Sequence, residues 1–144
     1  MIFNEFLTLK MKDLMMKNVV TVTTTQKVWD AVQAMVKNDI GSVVVLDEKN
    51  GEVVGILTER DLMTRVVAKD LDTKTTDARD AMTEVPATLT SNMPIVQIFS
   101  LFRAQNFRHV PIVDKGKLVG IVSIKDIFKL MHKVIGEALF GEGK

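Results

Sequence analysis

Apolar positions along the chain follow one succession that occurs twice. The first begins with a β-rich run, Val19-Val20-Thr21-Val22-Thr23. A helical stripe follows, with Val28, Ala31, Val32, Met35 and Val36 at the i, i+3, i+4, i+7, i+8 spacing of a single face. The second succession begins with Ala87-Thr88-Leu89-Thr90, and Ile95, Ile98, Phe99 and Phe102 form its stripe. Thr24 or Thr25, and Ser91 or Asn92, stand where they can cap these helices, and Pro94 falls in a first turn, where its missing N–H costs little. Two nearly continuous apolar runs come next, 42–46 and 109–113, the pattern of strands buried on both faces. Glu48-Lys49-Asn50-Gly51 and Lys115-Gly116 supply hairpin turns. Return strands at 53–57 and 118–122 run into final helices at about 59–68 and 124–139.

The two successions align residue by residue. A shift of 67 places Asp13-Leu14-Met15 on Asp80-Ala81-Met82, and Val43-Val44-Val45-Leu46-Asp47 on Val110-Pro111-Ile112-Val113-Asp114. The shift drops to 65 after the first hairpin, which carries two extra residues. Val54-Gly55-Ile56-Leu57-Thr58 then falls on Val119-Gly120-Ile121-Val122-Ser123, and Asp61 on Asp126. The chain therefore divides into an apolar opening segment (1–10), a first repeat (11–68), a polar linker (69–77), a second repeat (78–135) and a tail (136–144). A single β-α-β-β-α unit leaves one sheet face uncovered. The expectation is an α/β (α+β) fold of two such units, packed sheet to sheet about a pseudo-two-fold axis, with clefts along the seam.

Composition narrows the chemistry. With 144 residues, 47% apolar and 26% charged, the chain has the make-up of an ordinary globular protein. It has no cysteine, so disulfides, thiolate metal sites and a cysteine nucleophile are excluded. A net charge of +1 disfavours nucleic acid as a partner. The first ten residues do not read as a signal peptide, and no apolar run is long enough for a bilayer, so a cytoplasmic location is expected and no membrane. Two histidines without a carboxylate cluster offer no metal site. Ser123, His109 and Asp126 lack the Gly-x-Ser-x-Gly elbow of a hydrolase, so no catalytic residue and no catalytic cofactor are assigned.

The informative element is Gly55-Ile56-Leu57-Thr58-Glu59-Arg60-Asp61 with its twin Gly120-Ile121-Val122-Ser123-Ile124-Lys125-Asp126. In each, a strand turns straight into a helix, with a hydroxyl residue at the N-cap and an aspartate three positions on. One such motif is first of all a capping box. Its place also suits a ligand. A helix N-terminus attracts phosphate, and a carboxylate beside it can accept hydrogen bonds from both hydroxyls of a ribose.

The duplicated element, in this strand and helix order, resembles the cystathionine-β-synthase (CBS) domain, paired as a Bateman module, over about residues 11–135. The resemblance implies a non-catalytic regulatory module that binds an adenine nucleotide (AMP, ADP or ATP) in the clefts between repeats, forms a homodimer and acts on a partner protein. S-adenosylmethionine or another adenosyl ligand is an alternative, as is a dimeric interaction scaffold with its clefts unoccupied. Position by position, it implies a first site with Asp126 at the ribose, Ser123 at the ribose or phosphate, Ile121 also lining the ligand, Val20, Ile40, Gly41 and Ser42 at the base, and Arg108 and His109 facing phosphate. A second site would use Asp61, Thr58 and Ile56, with Ala87, Phe107 and Pro111 near the base. Gly41 and Ser42 stand where the second site needs a cation, so the Asp126 site is expected to bind more tightly.

Overall fold

The computed structural model describes residues 3–85, 88–105 and 108–141. Its elements run α1 (Phe3–Thr8), α2 (Met11–Leu14), β1 (Thr21–Thr23), α3 (Val28–Asn38), β2 (Ser42–Leu46), β3 (Val53–Thr58), α4 (Glu59–Asp61), α5 (Ala78–Ala81), β4 (Thr83–Glu84), α6 (Ile98–Gln105), β5 (His109–Asp114), β6 (Lys117–Ser123) and α7 (Ile124–Phe140). A π-helical turn, Leu62–Val67, continues α4, and a 3-10 turn, Ile95–Gln97, leads into α6. The chain forms two compact units. One holds the described residues up to Lys17, Thr88–Lys115 and those from Val119 on; the other holds Asn18–Ala87 with Gly116–Leu118.

The unit built on the first repeat carries a four-stranded sheet in the order β1-β2-β3-β4, with β1 parallel to β2 and the other pairings antiparallel. Val43, Val44 and Val45 are all buried, as the unbroken apolar run predicts for a strand covered on both faces. Val43, Val45 and Leu57 pack with Val28, Ala31 and Met35 of α3, Val66, and Ala78 and Ala81 of α5.

The unit built on the second repeat repeats this plan with β5 and β6 paired. Its flanking strands shrink to single bridges, Leu89 parallel to Ile112 and Met16 antiparallel to Ile121. Of the predicted strand Ala87–Thr90, only Leu89 bridges a neighbour among the described residues; Ala87 lies outside them. The cause is in the sequence. In the first repeat Val44 N–H donates to the Val20 carbonyl at 3.1 Å. The aligned residue of the second repeat is Pro111, which has no N–H to donate.

The lead-in helices cross over. α2 opens the first repeat, yet its Met11 and Lys12 amides donate to the Met93 and Ser91 carbonyls (both 2.9 Å). α5 mirrors this, with the Ala78 and Arg79 amides donating to the Gln26 and Thr24 carbonyls at 2.7 and 3.2 Å. Met11 is fully buried in a core with Ile95, Ile98, Ile112, Val122 and Ile127. The compact unit is therefore not the contiguous repeat. Each combines one repeat's sheet and later helices with the short helix that opens the other.

The predicted threonine caps of α3 are not used. Thr24 Oγ1 instead accepts from the Glu48 amide at 3.3 Å. The first helical amides, Val28 and Trp29, donate to the Thr76 and Thr73 carbonyls (both 2.9 Å), and Asp30 Oδ2 accepts from the Lys27 amide. Ser91 is also diverted: its amide and hydroxyl both donate to Asp114, which holds that carboxyl below its usual range. Lys27 hydrogen-bonds Asp77 at 2.5 Å and lowers the Asp77 pKa in the same way.

Candidate functional site

Both strand-to-helix turns form the predicted capping box. In the first repeat, Thr58 donates from N–H and Oγ1 to Asp61 Oδ2, each at 3.0 Å, and Thr58 Oγ1 accepts from the Asp61 amide at 3.1 Å. In the second, Ser123 donates from N–H and Oγ to Asp126 Oδ2 at 3.0 and 2.9 Å, and its Oγ accepts from the Asp126 amide at 3.2 Å. The structural role of the motif is thus real in both places.

The remaining oxygens differ. Asp61 Oδ1 accepts from Thr83 Oγ1 at 2.8 Å and faces Arg65 Nε at 3.6 Å. Arg65 is itself anchored by a bond from Nη1 to the Met82 carbonyl at 2.9 Å. Asp61 is only 6% exposed, the sole buried charged residue among those described. Asp126 Oδ1 has no hydrogen-bond or ion-pair partner among the described residues, and Asp126 is half-buried. A carboxylate offers about four lone-pair positions. Asp61 has committed essentially all of them and Asp126 only those on Oδ2.

The surroundings of the turns differ as well. The Arg108 carbonyl accepts from the Ile124 amide at 2.8 Å, which fixes Arg108 and the start of β5 beside the N-terminus of α7. Arg108 is exposed and His109 half-buried. In the first repeat, the Gly41 carbonyl accepts from the Glu59 amide at 3.0 Å. The Glu59 side chain lies over Gly41, so close that a Cβ there would stand 2.9 Å from Glu59 Oε1. Arg108 and His109 thus stand in the chain beside one turn, and the Glu59 carboxylate lies at the other.

Of the residues expected at the first site, Asp126, Ser123, Ile121, Arg108 and His109 come together at one end of the β5–β6 pair. Ile121 is held by reciprocal bonds with the Met16 backbone at 2.9 and 3.0 Å. Val20, Ile40, Gly41 and Ser42 belong to the other compact unit, all half-buried, with Ser42 opposite Thr58 in the β2–β3 register. Ile56, Thr58 and Asp61 share that unit; Pro111 is buried in β5, and Ala87 and Phe107 lie outside the described residues. Thr83, Arg65 and Glu59 were not foreseen. The repeat alignment could have raised the first two, because it places Met16 against Thr83 and Leu130 against Arg65.

The sequence profile of the CBS domain matches residues 11–68 and 78–133. The chain belongs to the CBS domain family. CBS domain-containing protein YhcV of Bacillus subtilis is 32% identical over 130 residues, covering 89% of this chain and 91% of its own. A Methanopyrus kandleri protein is 36% identical over 115 residues; the match takes in 79% of this chain but only 58% of that protein's length. Among solved structures, the hexameric CBS-CP12 protein from bloom-forming cyanobacteria superposes with a TM-score of 0.77 at 27% identity, over 85% of this chain and 71% of that one. The CBS pair places the chain in a family of regulatory and signal-transduction modules. Among the described residues, no helix is long and apolar enough to cross a membrane and no group of His, Asp and Glu could hold a metal ion.

Proposed function

We propose that this CBS pair is a non-catalytic cytoplasmic sensor that binds AMP, ADP or ATP at the Ser123–Asp126 turn and transmits occupancy to a partner protein. One observation carries the reading: Oδ1 of Asp126, which no described residue engages, is held in place by its own capping box. Two free acceptor positions on one oxygen match the adjacent hydroxyls of a ribose. The N-terminal end of the 17-residue α7 and the nearby Arg108 and His109 favour phosphate at the same turn. Binding regulates only as far as the ligand prefers one conformation over another, so two conformations of the CBS pair are part of the proposal.

A thermal-shift screen with AMP, ADP, ATP, S-adenosylmethionine and NAD tests it. Ligand at a hundred times its dissociation constant stabilises a protein by about 2.7 kcal/mol. For a chain of this size that is a rise of roughly 5–11 °C in Tm. A rise with an adenine nucleotide is expected. No rise with any adenosyl compound overturns the proposal and leaves the scaffold.

A second observation favours self-association, within either reading. On α7, Phe128, Ile135 and Leu139 are 60%, 53% and 70% exposed and recur at i, i+7, i+11. That is the narrow seam with which one helix packs along another. The final helical segment of the first repeat exposes Met63, aligned with Phe128, and Val67. The occupant that fits an apolar helix seam of this kind is the same seam on a second copy of the chain, and the CBS-CP12 protein is itself hexameric. We therefore propose a homodimer, or a higher assembly of dimers, that buries this seam. Light scattering after gel filtration should give at least twice the chain mass for the wild type and one chain mass for the Phe128→Glu/Ile135→Glu double variant. A monomeric wild type refutes it.

A further inference from the structure

We infer that Thr83 and Arg65 lock Asp61 into a purely structural role, so that the chain takes up one nucleotide rather than the two its duplicated motif suggests; this rests on the reading of Asp126 as the ribose acceptor. Within its own unit each aspartate sits at the same point of the same capping box, so a difference between them must come from the neighbours of Oδ1. In the first-repeat unit these are the Thr83 hydroxyl at 2.8 Å and the Arg65 guanidinium at 3.6 Å. The aligned positions in the other unit are Met16 and Leu130. The backbone at Met16 repeats that at Thr83. Met16 bridges Ile121, and Thr83 pairs with Ile56. The scaffold is therefore the same and only the side-chain chemistry changes. A thioether and an isobutyl group donate no hydrogen bond. For Asp61 to receive a ribose, the Thr83 and Arg65 contacts would have to break at a residue that is 6% exposed, and the phosphate would then meet the Glu59 carboxylate over Gly41. Among the described residues, Asp126 Oδ1 has no contact that has to break.

The deciding experiment is calorimetric titration of AMP and ATP into the wild type and a panel of exchanges. Expected are one nucleotide per wild-type chain, its loss in Asp126→Asn, and its retention in Asp61→Asn. Giving the second repeat the first repeat's partners, with Met16→Thr/Leu130→Arg, should weaken binding at least about tenfold, since two free acceptor positions are then claimed. Met16 is 52% exposed whereas Leu130 packs half-buried on the core, so Met16→Thr alone is the arm expected to keep the fold, and it should weaken binding in the same direction. Two nucleotides per wild-type chain, or loss of binding in Asp61→Asn alone, overturns the lock. Thermal unfolding without nucleotide reads the lock independently. Thr83→Val and Asp61→Asn should lower Tm by roughly 2–12 °C by leaving buried groups unpaired, while Asp126→Asn should change it far less. Equal losses in Asp61→Asn and Asp126→Asn overturn the lock. A wild type that binds neither nucleotide sinks the sensor reading, and the Tm comparison then decides the lock by itself.

Discussion

Replacing Asp126 with alanine is expected to weaken adenine-nucleotide binding about 10- to 150-fold. A hydrogen bond to a charged group contributes roughly 1.5–3 kcal/mol, and each 1.4 kcal/mol is a factor of about ten in affinity. That range is the loss of one ribose hydroxyl's bond to Oδ1, so it is the smallest effect expected if both hydroxyls are held. Alanine also removes the acceptor of the Ser123 amide and hydroxyl, so part of the loss could come through the cap. Asp126→Asn separates the two effects. It keeps an acceptor for Ser123 while removing the charge, and should lose nearly as much affinity as alanine with a smaller loss of stability. Asp61→Ala should behave in the opposite way, with a larger fall in stability and a smaller fall in affinity. Titration calorimetry on the three variants gives the order, and a greater loss of affinity in Asp61→Ala would reverse the assignment of the site.

Much of this CBS pair could be read from its sequence because the decisive signals are local. Ser42–Leu46 is a strand in the structure with the predicted bounds, and α7 begins at Ile124 as predicted and extends one residue past the expected end. Continuous apolar runs ending in a glycine turn leave little choice of structure, and a hydroxyl residue three positions before an aspartate announces a helix start. What stayed hidden depends on partners distant in sequence. The amides of Val28 and Trp29 are satisfied by carbonyls more than forty residues away, which no inspection of Thr24 or Thr25 reveals. The first repeat's final helix opens into a π turn at Leu62–Val67, although its apolar spacing reads as an ordinary helix. The standing of Asp61 and Asp126 was half-visible. The motif marks them as equals, and only the hydroxyl of Thr83 and the guanidinium of Arg65, brought in by β4 and the π turn, distinguish them. A repeat shows which positions correspond. It does not show which neighbours have changed until the fold says which residues are neighbours.

The crossing of the lead-in helices gives the second large expectation: Met11→Ala should destabilise the second repeat, not the first. By contiguity Met11 belongs to the first repeat, and the family profile begins there. In the structure it is fully buried against Ile95, Ile98 and Ile127, and the backbone of α2 is bonded to Met93 and Ser91. Cutting a buried methionine to alanine costs about 2–5 kcal/mol, depending on how far the cavity collapses. At about 2–4 °C per kcal/mol that lowers Tm by roughly 4–20 °C. The position of the damage matters more than its size. Hydrogen exchange should quicken in β5, β6 and α7 and change little in β2 and β3, because local opening follows the contacts that were lost. Faster exchange confined to β2 and β3 would return α2 to its own repeat. If the expected pattern holds, a change in the opening helix of the first repeat acts directly on the unit that contains Ser123 and Asp126. The short lead-in, bonded through Met16 to the strand that ends at that turn, then becomes a physical route between the start of the chain and the proposed nucleotide site.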